Sequence, residues 1–317
     1  MRFKQKTVKL SRIDSGDESF RITTQKNIDN LMNSINNVGL LNLPLLIEKD
    51  SGYTVVCGFR RIEACRRLGW AGVEARILDS DTQRLECIRY AITDNSLQRS
   101  LNLIEQSRSI NMLSGFFKDF NILTKELSAM GLPDNQSIIK KIKKICHLPR
   151  FVQSGILSNT ISLVMALELG RLKQEAGESF AKLFEILKLS LNKQREILTL
   201  VKEISLREDI SILKVLENNV LQEILTNDDL DRNQRIRKIR IYLKQRRFPF
   251  ITTAEKEFEK QLKELKLGSQ TKLIHPDNFE GTTYILEFSF TNLIELKDRK
   301  ATFDALIQNP CLENILK

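Results

Sequence analysis

One glycine followed by two arginines, Gly58-Phe59-Arg60-Arg61, separates a run that alternates like a strand from a run spaced like a helix. Tyr53, Val55 and Cys57 alternate with Thr54 and Val56, the period of a strand. Ile62, Cys65 and Leu68 follow at helical spacing, and Gly69 is placed to close the helix. Such a junction aims free backbone N–H groups and the positive end of a helix dipole at whatever lies in front of it. Guanidinium forks match phosphate geometry, so Arg60 and Arg61 make the junction read as a phosphate cradle. Arginines at a helix start are also often only solvated, and on the residues alone both readings stay open.

Composition narrows the partners. A chain of 317 residues has room for two or three domains with real cores. Its formal charge of +10 favours an acidic partner, nucleic acid ahead of anionic membrane. No apolar run is long enough to span a bilayer, and the N-terminus lacks a signal-peptide pattern. Five cysteines, at positions 57, 65, 87, 146 and 311, show no C-x-x-C pair and no metal-ligand spacing. They read as reduced, mostly buried thiols of a cytosolic protein. With only two histidines, His147 and His275, a His-based zinc site or catalytic triad is disfavoured.

The elements that must position these residues fall into segments. Residues 1–100 mix strands and helices. Ile28, Leu31, Met32, Ile35 and Val38 predict a helix ending at Gly39. Strands are predicted from Leu43 to Ile47 and from Val73 to Leu78, with a turn at Asp50-Ser51-Gly52 and a helix marked by Leu85, Ile88 and Ile92. From about residue 103 to 268 helical periodicity dominates. Strands return at Thr271 to Ile274 and Thr283 to Phe290, with a helix from Ala301 to Ile307. The fold class is α+β: a small α/β domain over 1–100, an all-α domain over 101–190, a helical region over 191–268 and a small α/β tail over 269–317.

Two basic stretches stand out in the middle. Leu123, Leu127 and Met130 share one helix face. A tight turn, Gly131 to Asn135, follows, and residues 136–146 form a second helix with Ile138, Ile139, Ile142 and Ile145 inward. Lys140, Lys141, Lys143 and Lys144 fill its remaining face until Leu148-Pro149 stops it. This is either a DNA-binding helix-turn-helix or a helical hairpin with a solvated basic face. If DNA is the partner, Asn135, Gln136 and Ser137 at the helix start meet base edges, and Lys140, Lys141 and Lys144 meet phosphate. The second stretch, Arg232 to Arg247, has no acidic residue and an apolar stripe of Ile236, Ile239 and Leu243. The preferred reading is a helix docked by that stripe; the alternative is a helix contacting phosphates.

In order along the chain, these pieces resemble the ParB family, bacterial partition proteins that bind centromere-like DNA and use CTP as a switch. Arg21 sits where the family has the arginine of an early Q-P-R motif. Gly39-Leu40-Leu41-Asn42-Leu43-Pro44 resembles its G-L-L-Q-P, and Gly58-Phe59-Arg60-Arg61 with Ala64 its G-E-R-R-x-x-A. Asp94-Asn95-Ser96-Leu97-Gln98-Arg99-Ser100-Leu101-Asn102-Leu103-Ile104-Glu105 corresponds to E-N-L-Q-R-x-x-L-N-P-x-E, with Gln98-Arg99 one place later than the family's Q-R, and the helix-turn-helix follows in place, with Val152 after Leu148-Pro149. The resemblance covers roughly the first half of the chain.

The resemblance implies a ParB/sulfiredoxin-like nucleotide-binding domain. Arg21, Gly58, Arg60, Arg61, Gln98 and Arg99 would hold CTP, and Asp94 and Asn95 would ligate Mg²⁺; without the family, both would read as helix-ending caps. It further implies double-stranded DNA as partner, a ParA-like ATPase, a homodimer and a nucleoid-associated cytoplasmic place in a bacterium. Three departures stand against the pattern. Phe59 replaces the glutamate associated with CTP hydrolysis, so at most a weak CTPase is expected; Phe59 likewise removes the reactive cysteine of the sulfiredoxins. Leu103 replaces a proline, and the C-terminus does not look like the usual dimerisation domain. A nucleotide-dependent enzyme on the same fold, kinase or nuclease-like, is the alternative. In the tail, Tyr284, Leu286, Phe288 and Phe290 form an apolar face. A two-stranded sheet is marginal alone, so residues 271–317 are expected to self-associate.

Overall fold

The computed structural model describes residues 3–49 and 52–316; Asp50 and Ser51 of the expected turn lie outside them. The chain forms two compact units, Met1–Leu191 and Asn192–Lys317.

The N-terminal unit opens with a five-stranded mixed sheet. In chain order the strands are β1 (Lys4–Lys9), β2 (Ile13–Asp14), β3 (Leu45–Lys49), β4 (Gly52–Cys57) and β5 (Gly72–Leu78), and across the sheet they run β1-β5-β3-β4-β2. β3 pairs antiparallel with β4 and parallel with β5, so Leu46 faces Val55 on one side and Ile77 on the other. Every residue of β4 is buried. That is the condition of a strand covered on both faces, and it explains why Val55 and Val56 can both be apolar. Helices α1 (Asp29–Val38) and α2 (Phe59–Arg67) pack together, and α3 (Arg84–Ser96) packs against β4. Ile35, Leu46, Val55, Ile62 and Ala75 are among the buried centre. The predicted helix stops at Gly39 and Gly69 are found, both with positive φ.

α4 (Leu103–Ser114) begins the helical half and packs against α3, α5 (Phe120–Ala129), α6 (Gln136–Ile142) and α7 (Arg150–Leu157). α8 (Leu163–Leu169) and α9 (Gln174–Leu187) complete the unit. α5 and α6 are the two helices expected. Leu123, Leu127 and Met130 are buried, as are Ile139, Ile142 and Ile145. Two details differ. Ile138 is 44% exposed rather than inward. The second helix ends at Ile142, followed by a short 3-10 turn at Ile145–His147. The cause is tertiary: Ser107 Oγ and Asn111 Nδ2 on α4 both donate to the Lys143 carbonyl (3.3 and 2.6 Å), and Ser107 Oγ also accepts from Cys146 N at 3.0 Å. These side chains satisfy the helix end that a continuing turn would otherwise have satisfied.

The C-terminal unit contains α10 (Leu191–Arg207), α11 (Ile212–Leu216), α12 (Asn219–Thr226), α13 (Arg232–Arg247) and α14 (Pro249–Leu265). A two-stranded antiparallel sheet follows, β6 (Thr271–Ile274) and β7 (Ile285–Phe288), and then α15 (Leu293–Ile307) and α16 (Pro310–Leu316). Tyr284, Leu286 and Phe288 pack into a core with Phe258 and Leu265 of α14, Leu306 of α15 and Ile315 of α16. The apolar face on which the expected self-association of the tail rests is therefore partly covered by the chain's own helices. Phe290, beyond β7, is half exposed. α15 begins eight residues earlier than the periodicity shows, because Asn292 caps it by accepting from Glu295 N at 2.9 Å.

Candidate nucleotide pocket and nucleic-acid interface

The glycine at the strand–helix junction is required by geometry. Gly58 has φ +93°, and a Cβ there would lie 3.0 Å from Pro44 Cβ and 3.1 Å from Pro44 Cα. The two motifs resembling ParB, around Pro44 and Gly58, therefore meet in space, and a side chain at 58 would push them apart. The first intrahelical bond of α2 runs from Ile62 N to Gly58 O at 3.0 Å. The amides of Phe59, Arg60 and Arg61 precede it and are the orphan donors of the helix start.

In front of that start lies a cleft of about 210 Å³. Its walls bring together Gly58, Arg60 and Arg61 of the junction with Asp94, Asn95, Gln98 and Arg99 from the end of α3 and beyond. Arg21 is not among them. It lines an adjoining cleft of about 320 Å³, where it pairs with Glu18 at 2.5 Å and its guanidinium lies 5.8 Å from the Phe59 ring centre. Sequence reasoning missed Thr23, Gln25 and Asn42, which complete the walls. Asn42 lies inside a quoted motif; nothing in the sequence marks Thr23 or Gln25.

Each arginine is held differently. Arg60 donates to Gln25 Oε1 at 2.6 Å and to the Asn27 carbonyl at 2.8 Å, and its buried Nε has no partner among the described residues. Arg61 Nη2 donates to Asp94 Oδ2 at 2.9 Å. Arg99 makes a two-point pair with Glu105, 2.7 and 2.8 Å. Glu105, fully buried, also accepts from Thr24 N, Thr24 Oγ1 and Asn102 N. Burial pushes its carboxyl up, but Arg99 and the two amides outweigh that and hold it below the ordinary glutamate value. One side chain thus ties the pocket wall at residues 23–25, Arg99 and α4 together. Asn102 and Glu105 form a capping box at the start of α4; Glu105 enters the sequence reading only through the family motif, and the N-x-x-E spacing is the local signal that could have found it.

The donor set suits Mg²⁺ beside a polyphosphate. That ion needs one or two protein oxygens when phosphates supply the rest. Asp94 offers a carboxylate; Asn95 donates its amide N–H to the Ala91 carbonyl at 2.8 Å, leaving its oxygen as acceptor. A cage of three or more His, Cys, Asp or Glu side chains is absent among the described residues. Asp94 is the sole carboxylate among the described lining residues of the cleft. Cys57 is buried, and burial pushes its thiol far above the ordinary value, which leaves it no nucleophile's role.

The pair α5–α6 presents a second, wider concavity of about 700 Å³ in front of α6. Gln136, Ser137, Lys140, Lys141 and Lys144 line it, as does Arg171 from the turn after α8, which no sequence signal announced. Asn135 lies outside it; its side-chain oxygen caps α6 by accepting from Ile138 N at 3.1 Å. Gln136 reaches Asn121 Oδ1 at 3.3 Å, and Lys140 Nζ lies 5.5 Å from the Phe120 ring centre. The other basic helix, α13, docks by Ile236, Ile239 and Leu243, all buried. Arg240 pairs with Glu196, Arg246 with Glu208 and Arg247 with Glu203, at 2.6–2.8 Å.

Residues 3–96 match the family model of the ParB N-terminal domain, so the resemblance read from the motifs holds and the chain carries a ParB N-terminal domain. Among similar proteins, the nucleoid occlusion protein of Oceanobacillus iheyensis is 33% identical over 180 residues, 55% of this chain and 60% of that protein. The nucleoid occlusion protein of Bacillus licheniformis is 32% identical over the same length. The chain spans about 60% of the length of these curated relatives. Among solved structures, the C-terminally truncated chromosome-partitioning protein ParB from Caulobacter crescentus, complexed to the centromeric parS site, is 18% identical. It covers 60% of this chain and 96% of its own, with a TM-score of 0.34. The same truncated protein complexed with CTP-gamma-S is 21% identical, covering 57% and 98%, with a TM-score of 0.27.

Proposed function

We propose that this chain is a ParB-type, sequence-specific DNA-binding protein with a CTP-type nucleotide switch, acting in partition, nucleoid occlusion or regulation in a bacterial nucleoid. The observation that carries the reading is the convergence on one cleft of a left-handed glycine, a helix N-terminus and three arginines, 60, 61 and 99. The phosphates of CTP would take the α2 amides, Arg60 and Arg61, with Gln98 and Arg99 on the far wall. Mg²⁺ would be held by Asp94 and Asn95; when bound, it neutralises phosphate charge. Arg21 belongs to the site only if the nucleotide reaches past Phe59 into the adjoining cleft. Gln136 and Ser137, with the free amide of Asn135, would read base edges, while Lys140, Lys141 and Lys144 would meet phosphate. A homodimer and a ParA-like ATPase are the expected protein partners. No helix of the described residues is long and apolar enough to cross a membrane.

Calorimetric titration of CTP, UTP, ATP and GTP in Mg²⁺, with and without DNA selected from a random pool, tests the reading. CTP should bind, and Arg60→Ala should lower its affinity about tenfold or more through a lost charge-assisted contact. Binding of none of the four overturns the nucleotide half, and indifference to all DNA at low salt overturns the DNA half. Hydrolysis should be very slow or absent. Phe59 neither activates water nor binds metal, and Asp94, the one carboxylate among the described lining residues, would be taken up by Mg²⁺. The same facts weigh against a kinase or nuclease on this fold.

A further inference from the structure

Arg61 is held from two sides by partners of different kinds. Its Nη1 donates to the backbone carbonyls of Asn42 at 2.9 Å and Leu43 at 3.1 Å. Its Nη2 donates to Asp94 Oδ2 at 2.9 Å. The carbonyls fix the plane of the guanidinium and leave its charge uncompensated; Asp94 supplies the compensating charge.

Asp94 is itself loosely kept. Its other oxygen meets only Gln98 Nε2, at 3.3 Å, among the described residues, and its side chain is 31% exposed. The Arg99–Glu105 pair beside it is the opposite case. There the carboxylate is fully buried and bound by Thr24 and Asn102 as well. One ion pair of the cleft is built in; the other is a single contact at the mouth of an anion site.

We propose, on the nucleotide reading given above, that Asp94 is a displaceable stand-in for phosphate, so that nucleotide and divalent cation bind as a linked pair. A phosphoryl oxygen arriving at the first turn of α2 takes Arg61 Nη2 in place of Asp94. The exchange moves no proton, since one anion replaces another on a guanidinium that stays protonated. The released carboxylate then lies beside a polyphosphate, and two anions at that distance repel. A divalent cation between them turns the repulsion into attraction, and Asn95 Oδ1 stands next in sequence to share it. Arg61 does not move in this exchange, because its Nη1 contacts are to backbone.

The two arms of the test follow from the two costs that Asp94 imposes on a bare nucleotide, competition for Arg61 and charge repulsion. Asp94→Asn and Asp94→Ala both remove the repulsion, and Asp94→Ala removes the competition entirely. CTP binding to the full chain is measured by calorimetry in EDTA and in Mg²⁺. The wild type should bind well only in Mg²⁺. Both variants should bind CTP in EDTA at least about tenfold tighter than the wild type does, and lose most of the gain from Mg²⁺. The alanine variant matters because it has no amide with which to engage Arg61. In an Arg61→Ala background the Asp94 substitutions should bring a smaller gain, the part due to repulsion alone, as a double-mutant cycle reads it. Unchanged or weaker metal-free binding in both Asp94 variants, or a gain that is undiminished without Arg61, overturns the proposal. If the wild type binds CTP in Mg²⁺ and those results are seen, the exchange alone fails and the nucleotide reading stands. If the wild type in Mg²⁺ binds none of CTP, UTP, ATP and GTP, both fail together.

Discussion

Helices α6 and α13 each carry a run of basic residues, and the chain treats the two in opposite ways. Lys140, Lys141, Lys143 and Lys144 are exposed, and none has a carboxylate within ion-pair distance among the described residues. On α13, Arg235 reaches Asp228, Arg240 and Lys244 share Glu196, Arg246 takes Glu208 and Arg247 takes Glu203, while Arg232, Arg237 and Lys238 are exposed without a carboxylate partner among the described residues. The residue types alone would rank α13 as the stronger nucleic-acid helix, because it has more charges and more arginine. The counter-charges, which take five of the eight basic residues of α13 and none of the four lysines on and just after α6, reverse the ranking. A cation already matched by a folded-state carboxylate gains little from a phosphate, since the phosphate must first displace the carboxylate. An unmatched lysine releases counterions on binding and makes affinity salt-dependent.

The largest expected effect is the one that would break this contrast. Lys140→Ala with Lys144→Ala should lower DNA affinity about tenfold or more and flatten the salt slope by about two units, one per lost phosphate contact. Arg246→Ala should leave both within about twofold. Fluorescence anisotropy across a salt series reads the two variants side by side. Equal losses would mean that α13 also meets DNA and that its ion pairs give way to phosphate.

Arg246→Ala should show itself elsewhere. The Arg246 guanidinium holds the Glu208 carboxyl below the ordinary glutamate value. A carboxyl depressed in the folded state contributes stability above its unfolded pKa. That contribution is lost as pH falls through the lower folded value. The transition of the C-terminal unit should therefore drop in temperature as pH falls below the ordinary glutamate range. In Arg246→Ala, Tm should be lower by roughly 2–4 °C at neutral pH, since partly exposed pairs are worth little. The two proteins should converge in acid. Melting curves that stay parallel from about pH 7 to about pH 3, with no convergence, would remove Glu208 as the cause.

What the sequence made legible follows the same line between local and distant partners. The cleft's centre was readable because one junction, Cys57-Gly58 into Arg60 and Arg61, carries strand, turn and helix start within a few residues. Asp94, Asn95, Gln98 and Arg99 were readable only through the family pattern, since nothing local says that α3 ends opposite Gly58. Gln25 and Thr23 were not readable at all. They reach the pocket because buried Glu105, 81 residues further along the chain, binds Thr24. The true end of α6 depended on Ser107 and Asn111 of another helix. The ion pairs of Arg240, Arg246 and Arg247 on α13 depended on carboxylates 38–44 residues away. In the tail, the alternation of Tyr284, Leu286 and Phe288 correctly required a cover, but alternation carries no information about whether α14 or a second subunit supplies it.

The smallest effect tests the rule in a place the motif does not reach. Arg171 lies outside the α5–α6 pair, in the turn after α8, yet it lines the same concavity as Lys140 and Lys144. It is exposed and, like those lysines, has no carboxylate partner among the described residues. By the criterion that separates α6 from α13, Arg171 should meet a phosphate. Arg171→Ala should therefore flatten the salt slope by about one unit and weaken binding by a similar factor on every DNA sequence. Gln136→Ala supplies the contrast within the same groove. A side chain at the helix start that reads a base edge should change which sequence is preferred more than it changes the salt slope. Selection from a random pool with each variant, followed by anisotropy at several salt concentrations, separates the two. If Arg171→Ala shifts the preferred sequence and leaves the slope alone, the arginine reads bases. The absence of a counter-charge would then mark an interface without saying which part of the DNA is met.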